Sequence, residues 1–189
     1  MKIINFTGTY LSQAQIKKMD KNNKYVKHDV SFVQIHPTNN NDISTLKKTS
    51  KIWEDKPSLL SFANMIYEDA KNIHDEEFDT GIHKFYALTN QKNNFEKLLP
   101  NEILGLTEVT HYPKSTKMNI DLLEVHPEYN YLSENRNYKK VGEALINNIK
   151  NIFEGKEITV RAISSALDFY IKNGFKQIQK NSLDLHYIK

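Results

Sequence analysis

The chain has 189 residues, 39% of them hydrophobic, which is enough for one domain with a substantial core and leaves little room for a second. It has no cysteine, which excludes a disulfide framework, a thiolate zinc site and a cysteine nucleophile. The net charge of +3, from 26 basic and 23 acidic side chains, favours solubility and falls short of a nucleic-acid-binding signature. Residues 1–6 carry one lysine and too few apolar residues for a signal peptide. No window approaches the roughly 20 apolar residues of a membrane-spanning helix. A cytoplasmic protein that binds neither nucleic acid nor membrane is therefore expected.

Residues 1–29 show no clear period beyond the apolar Ile3, Ile4 and Phe6, and read as an N-terminal extension to a domain over 30–189. Val30, Phe32, Val33 and Ile35 predict a strand, stopped by His36-Pro37 and the asparagines that follow. Two helices come next. Asn41 can cap the first, with Ile43, Leu46 and Trp53 on one stripe; Pro57 suits the first turn of the second, with Leu59, Phe62, Ala63, Ile66, Tyr67 and Ala70 on its stripe. Asp75, Glu76, Glu77 and Asp79, ending at Gly81, form an acidic stretch. It reads either as a solvated turn or as an attractor for a cationic amine.

Three strands over 84–89, 103–111 and 117–126 predict an antiparallel meander, the last two joined by a turn around Pro113. Val141, Leu145, Ile149, Ile152 and Phe153 fall at helical spacing before Gly155, and 157–162 is again a strand. A strand, helix and strand in one sheet predict a right-handed crossover with 117–126 and 157–162 parallel. Ser165 and Asp168 suggest a capping box for a short helix that closes at Asn173-Gly174. Residues 175–180 and 183–188 read as a terminal hairpin.

The segment 137–146, NYKKVGEALI, puts a glycine just inside a helix start after a strand. The first amides of a helix lack internal partners and the helix dipole favours an anion beside them, so a pyrophosphate suits this position. Gly142 would allow close approach, Ala144 keeps the next turn small, and Lys139 and Lys140 add positive charge. An ordinary helix start that needs little bulk is the alternative reading of Gly142.

Taken together, Val125-x-Pro127, Lys139-x-x-Gly142-x-Ala144 and Phe169-Tyr170-x-x-x-Gly174-Phe175 resemble the pattern of the GNAT N-acetyltransferase family. In that family, V-x-P is followed by Q/R-x-x-G-x-G/A and then by F-Y-x-x-x-G-F. The chain departs from the pattern in three places: Lys139 replaces Gln or Arg, residues 130–137 lengthen the loop before the turn, and Ser164-Ser165 stand where an asparagine is common.

The resemblance implies an α/β (α+β) fold with a mixed, mostly antiparallel sheet, a central splayed pair of parallel strands and flanking helices. It also implies an acetyl-CoA-dependent N-acetyltransferase in which a neutral primary amine attacks the thioester directly, with no metal required. Leu123, Glu124 and Val125 would hold the pantetheine arm, and Lys139, Lys140, Val141, Gly142, Glu143, Ala144 and Phe169 would complete the cofactor site. Tyr170 would protonate the departing thiolate. An alkylamine with a pKa of roughly 10.4 needs a base, for which Glu108, Glu124 and His126 are candidates. Strand alternation puts Glu124 and His126 on the opposite face from Val125. Each of these three can equally be a solvent-facing strand residue, and Tyr170 a core aromatic. A catalytically inactive module that binds coenzyme A or a protein partner is the alternative function, and a homodimer is left open.

Overall fold

The computed structural model describes residues 8–54, 61–76, 82–130, 133 and 136–189. Among these the strands are β1 (Thr9–Met19), β2 (Tyr25–Ile35), β3 (His83–Thr89), β4 (Ile103–Thr110), β5 (Lys117–Val125), β6 (Tyr138–Lys139), β7 (Glu157–Arg161), β8 (Lys176–Gln177) and β9 (Asp184–Tyr187). They form one sheet in the order β6-β1-β2-β3-β4-β5-β7-β9-β8. The helices are α1 (Asn40–Glu54), α2 (Phe62–Asp75), α3 (Val141–Ile152) and α4 (Leu167–Lys172).

The meander of β3, β4 and β5 is antiparallel, as its alternation and turn residues predict, and β5 and β7 are parallel across the α3 crossover. The chain ends in the antiparallel pair β8 and β9, joined through Asn181 at φ 64°. The sheet is thus mixed and mostly antiparallel, flanked by helices.

The N-terminal residues differ from expectation. Residues 9–29, read as an extension, form β1 and the start of β2, an antiparallel hairpin continuous with the sheet. Ala14 and Ile16 of β1 are buried in the core. Their signal is weak because the other apolar residues near the start of β1, Tyr10 and Leu11, are exposed and break the alternation, leaving two inward residues to mark its period.

Two caps also move. Asn39, not Asn41, caps α1: its Oδ1 accepts from the amides of Asn41 at 2.8 Å and Asp42 at 3.2 Å. A 3-10 turn over Ser164–Ala166 precedes α4 and puts Ala166, not Ser165, in the position before the helix. Pro57 and Leu59 lie outside the described residues, and Ser61 caps α2 by accepting from the Asn64 amide. Of the acidic stretch, Asp75 ends α2 and pairs with Lys71 at 3.2 Å; Glu77, Asp79 and Gly81 lie outside the described residues.

The sheet is covered on both faces. On one, Trp53, Ile66 and Ala70 of α1 and α2 pack on Val33, Phe85, Ala87 and Leu106. On the other, Leu145, Ile146 and Ile149 of α3 pack with Tyr170 and Phe175 on Val30, Leu88, Leu104, Ile120 and Val160. Burying each large aliphatic side chain of α3 stabilises the crossover by about 1.5–3 kcal/mol. Gly105 sets how closely α3 approaches, since a Cβ there would lie 2.7 Å from Leu145 Cδ1 and 3.3 Å from the Glu124 carbonyl oxygen. The fold therefore holds the start of α3 against the end of β5.

Candidate active site

The parallel pairing of β5 with β7 runs only from Lys117↔Glu157 to Ile120↔Val160. β5 continues to Val125, while β7 ends at Arg161 and the next amide, that of Ala162, donates to Leu183 on the β9 side. Among the described residues, 121–125 thus have no strand partner on the β7 side. A bulge marks where the strands part: Glu108 faces Leu122 and Val109 faces Ile120, which leaves Asp121 as the extra residue. An open edge of this kind can take an extended ligand as an added strand.

The start of α3 closes the same region. The first amide of the helix turn to donate internally is that of Ala144, to the Lys140 carbonyl at 3.0 Å. The amides of Val141, Gly142 and Glu143 precede it and have no carbonyl one turn back within the helix. Lys140, in the cap position, is left-handed at φ 68°, ψ 17°, the conformation that glycine favours. The sharp turn therefore sits two residues before the expected glycine.

Gly142 also permits close packing, since a Cβ there would lie 3.1 Å from the Phe169 ring and 3.4 Å from Val125 Cγ2. Val125, Gly142 and Phe169 thus meet where β5, α3 and α4 converge. Of the two lysines, Lys139 spends its ammonium on the Tyr25 ring at 3.8 Å, and Lys140 pairs with Glu143 at 2.9 Å.

The carboxylates lie on the other face. Glu124 Oε2 accepts from the Ala63 amide at the start of α2 at 2.6 Å. Burial raises its pKa to about 7, against the lowering effect of the Ala63 and Phe62 amides. Glu108 is buried, and its Oε1 lies 2.9 Å from His83 Nδ1. Burial, then Asp69 and Asp121, raise its pKa to about 8. His126 is also on this face, edge-on to Trp53 and stacked on Tyr129 with ring centres 4.6 Å apart.

No family model matches the chain, and no curated protein matches it. Solved structures do. A mutant of KacT is 15% identical, with 84% of this chain and 94% of that one covered at TM-score 0.55. AtaT complexed with acetyl-methionyl-tRNAfMet is 11% identical (85% and 95% covered, TM-score 0.55), and AtaTR bound with acetyl-CoA is 12% identical (84% and 92%, TM-score 0.52). A Desulfovibrio desulfuricans protein described as an acetyltransferase of the GNAT family is 13% identical, with 83% and 94% covered at TM-score 0.51. This chain has the GNAT fold.

Within the GNAT fold, the expected site residues divide between the two faces of the sheet. Leu123 and Val125 pack on the α3 and α4 side, with Val141, Ala144 and Phe169. Glu108 and Glu124 lie on the α2 side, where Glu124 meets Ala63 and Glu108 meets Asp69. Tyr170 is 6% exposed, packed edge-on between Phe169 and Phe175, and burial pushes its phenol well above the usual range, so it stays protonated. Sequence reading missed Lys140 as the turn residue, because lysine gives no signal for a left-handed backbone. It also missed His83, Asp121 and Asp69 around Glu108; strand register brings the first two together, and the packing of α2 on the sheet brings Asp69.

Proposed function

We propose that the chain is an acetyl-CoA-dependent N-acetyltransferase acting on a primary amine. The observation that carries this reading is the open edge of β5 over residues 121–125, which runs into the start of α3, whose first amides have no partner within the helix. That combination suits a ligand with an extended amide-rich arm and a terminal pyrophosphate, as acetyl-CoA has. The GNAT fold supports it, and AtaTR is bound with acetyl-CoA in its own structure.

In this reading the backbone at Leu123, Glu124 and Val125 pairs with the pantetheine arm, and the amides of Val141, Gly142 and Glu143 face the diphosphate. Positioning of the two reactants does most of the work. The amine nitrogen attacks the thioester carbonyl carbon, the C–S bond breaks, and the amine's proton passes to Glu124, directly or through water. Glu124 is placed for this because it lies in the unpaired part of β5 and its pKa of about 7 matches a base at neutral pH. Tyr170, protonated and beside Phe169, supplies the proton to the departing thiolate. Glu108, held by His83, is the second candidate base.

The acceptor is an amine of a small molecule, a protein or an aminoacyl-tRNA; AtaT is complexed with acetyl-methionyl-tRNAfMet. The test is incubation with labelled acetyl-CoA and a pool of all three acceptor types, reading acetylated product and released thiol. Transfer at a rate that depends on Glu124 or Glu108 supports the reading. Tight coenzyme A binding with no transfer at any pH overturns it in favour of a non-catalytic binding module.

A further inference from the structure

His83, Glu108 and Asp121 come from three neighbouring strands, β3, β4 and β5, and bring one ligand atom each within 4.8 Å of one another. Glu108 forms the floor. Its side chain is 2% exposed, Oε1 lies 2.9 Å from His83 Nδ1, and Oε2 has no hydrogen-bond partner among the described residues. Asp69 of α2 and Asp121 both act on this carboxyl with like charge, and Asp69 stands close enough to share a hydrogen bond with it when one of the two is protonated. A buried carboxylate oxygen without a donor, facing two more acids, is costly unless a cation or proton satisfies it.

Asp121 is aimed by its own neighbours. Its Oδ2 accepts from the Thr110 hydroxyl at 2.7 Å and its Oδ1 from the Asn119 amide at 2.6 Å, the kind of outer bonds that orient a ligating carboxylate. The bulge in β5 puts this residue out of register and turns it toward the cluster. The His83 side chain is 44% exposed, which gives an ion a path in from solvent.

We propose that His83, Glu108 and Asp121 bind a divalent transition ion of the zinc type. One imidazole and two carboxylates form a donor set that suits this class, and three protein ligands leave a fourth position for water or substrate. Bonds of about 2.0–2.2 Å put the donors of a tetrahedral site about 3.3 Å apart, so the imidazole and Glu108 separate by a few tenths of an ångström and Asp121 closes in. The ion gives the unpartnered Oε2 or its twin a cation and ties three strands together at one end of the sheet. An ion here takes up Glu108 and so removes the second candidate base from the transfer reaction, while the α3 start proposed for the diphosphate contributes no donor to it.

The test uses full-length protein stripped with a chelator and dialysed, then titrated with Co2+ and with Zn2+. Expected are the visible absorption bands of tetrahedral Co2+, one Zn2+ bound per chain by calorimetry, and a melting temperature several degrees higher with Zn2+. Asp121→Asn and His83→Gln, both at accessible positions, should keep the fold by circular dichroism while weakening Zn2+ binding at least tenfold. A featureless Co2+ spectrum with no Zn2+ binding below millimolar concentration overturns the site and leaves Glu108 neutralised by a proton. Unchanged binding in the double variant places the metal elsewhere and overturns it as well.

Discussion

Glu124 at the end of β5 and Ala63 at the start of α2 are joined by a hydrogen bond of 2.6 Å, in which the Ala63 amide donates to Glu124 Oε2. A strand that has lost its parallel neighbour is thereby anchored to a helix on the opposite face from α3. The bond also settles the charge balance of the carboxyl. Burial disfavours its ionised form and the helix start favours it, leaving a pKa of about 7 rather than a fully suppressed charge.

If Glu124 takes the amine's proton, it must be ionised to work. The kcat/KM of transfer should then rise with pH through about 7 and level off above it. Glu124→Gln should lower kcat by roughly 10²–10⁴-fold and remove that limb of the profile. The glutamine oxygen can still accept from Ala63, so the melting temperature and acetyl-CoA affinity should change little. A pH–rate profile of the variant with the wild-type shape would remove Glu124 from the mechanism.

Glu108 makes a prediction about stability instead. Its folded pKa of about 8 is above its ordinary value of 4.5, so the folded chain binds more protons than the unfolded chain between those values. Stability is therefore greatest below the lower value and falls as pH rises through the upper one. Glu124 and Asp42, the latter buried and raised to about 6, act in the same direction. In metal-free protein, Glu108→Gln should be more stable than wild type at about pH 9, by on the order of 3 kcal/mol, with the gap nearly closed at about pH 5. Urea unfolding at the two pH values reads it directly.

The elements with a strong period were legible in the sequence: the meander, the α3 crossover and the parallel partner of β5 all follow from alternation, helical spacing and turn residues. β1 was not, because the adjacent exposed Tyr10 and Leu11 break its alternation and only Ala14 and Ile16 are buried. The site was legible in its parts and not in its assembly. Gly142 lies in the first turn of α3 as its place in the sequence suggests, but the left-handed residue before the helix is Lys140, and lysine carries no signal for that conformation. Glu108 was visible as an acid on a strand; that His83 and Asp121 flank it follows from register and a bulge, and that Asp69 reaches it follows from the packing of α2, none of which local pattern encodes.

Tyr170 tests the leaving-group side. Its ring packs between Phe169 and Phe175, and Tyr170→Phe keeps that packing while removing only the hydroxyl. Turnover should fall at least tenfold, since proton transfer to the leaving group contributes about 10²–10⁴-fold in comparable reactions. Acetyl-CoA affinity, measured by calorimetry, should be nearly unchanged. Unaltered kcat would make Tyr170 a packing residue only.

Lys140 holds the turn that presents the first amides of α3, at φ 68° without the freedom of a glycine. A non-glycine residue there costs about 1–2 kcal/mol, and its exposed pair with Glu143 returns only about 0–1 kcal/mol. Lys140→Gly relieves the strain but loses about 0.5–1 kcal/mol to the freer unfolded chain, so it should be neutral or up to about 1 kcal/mol more stable. Lys140→Val puts a β-branched side chain in the same conformation and should cost about 2 kcal/mol, a fall of several degrees in melting temperature for a chain of this size. Acetyl-CoA binding separates the turn's shape from its charge. The glycine variant should bind within about tenfold of wild type, the loss of one exposed charge, while the valine variant, whose turn must open, should bind far more weakly.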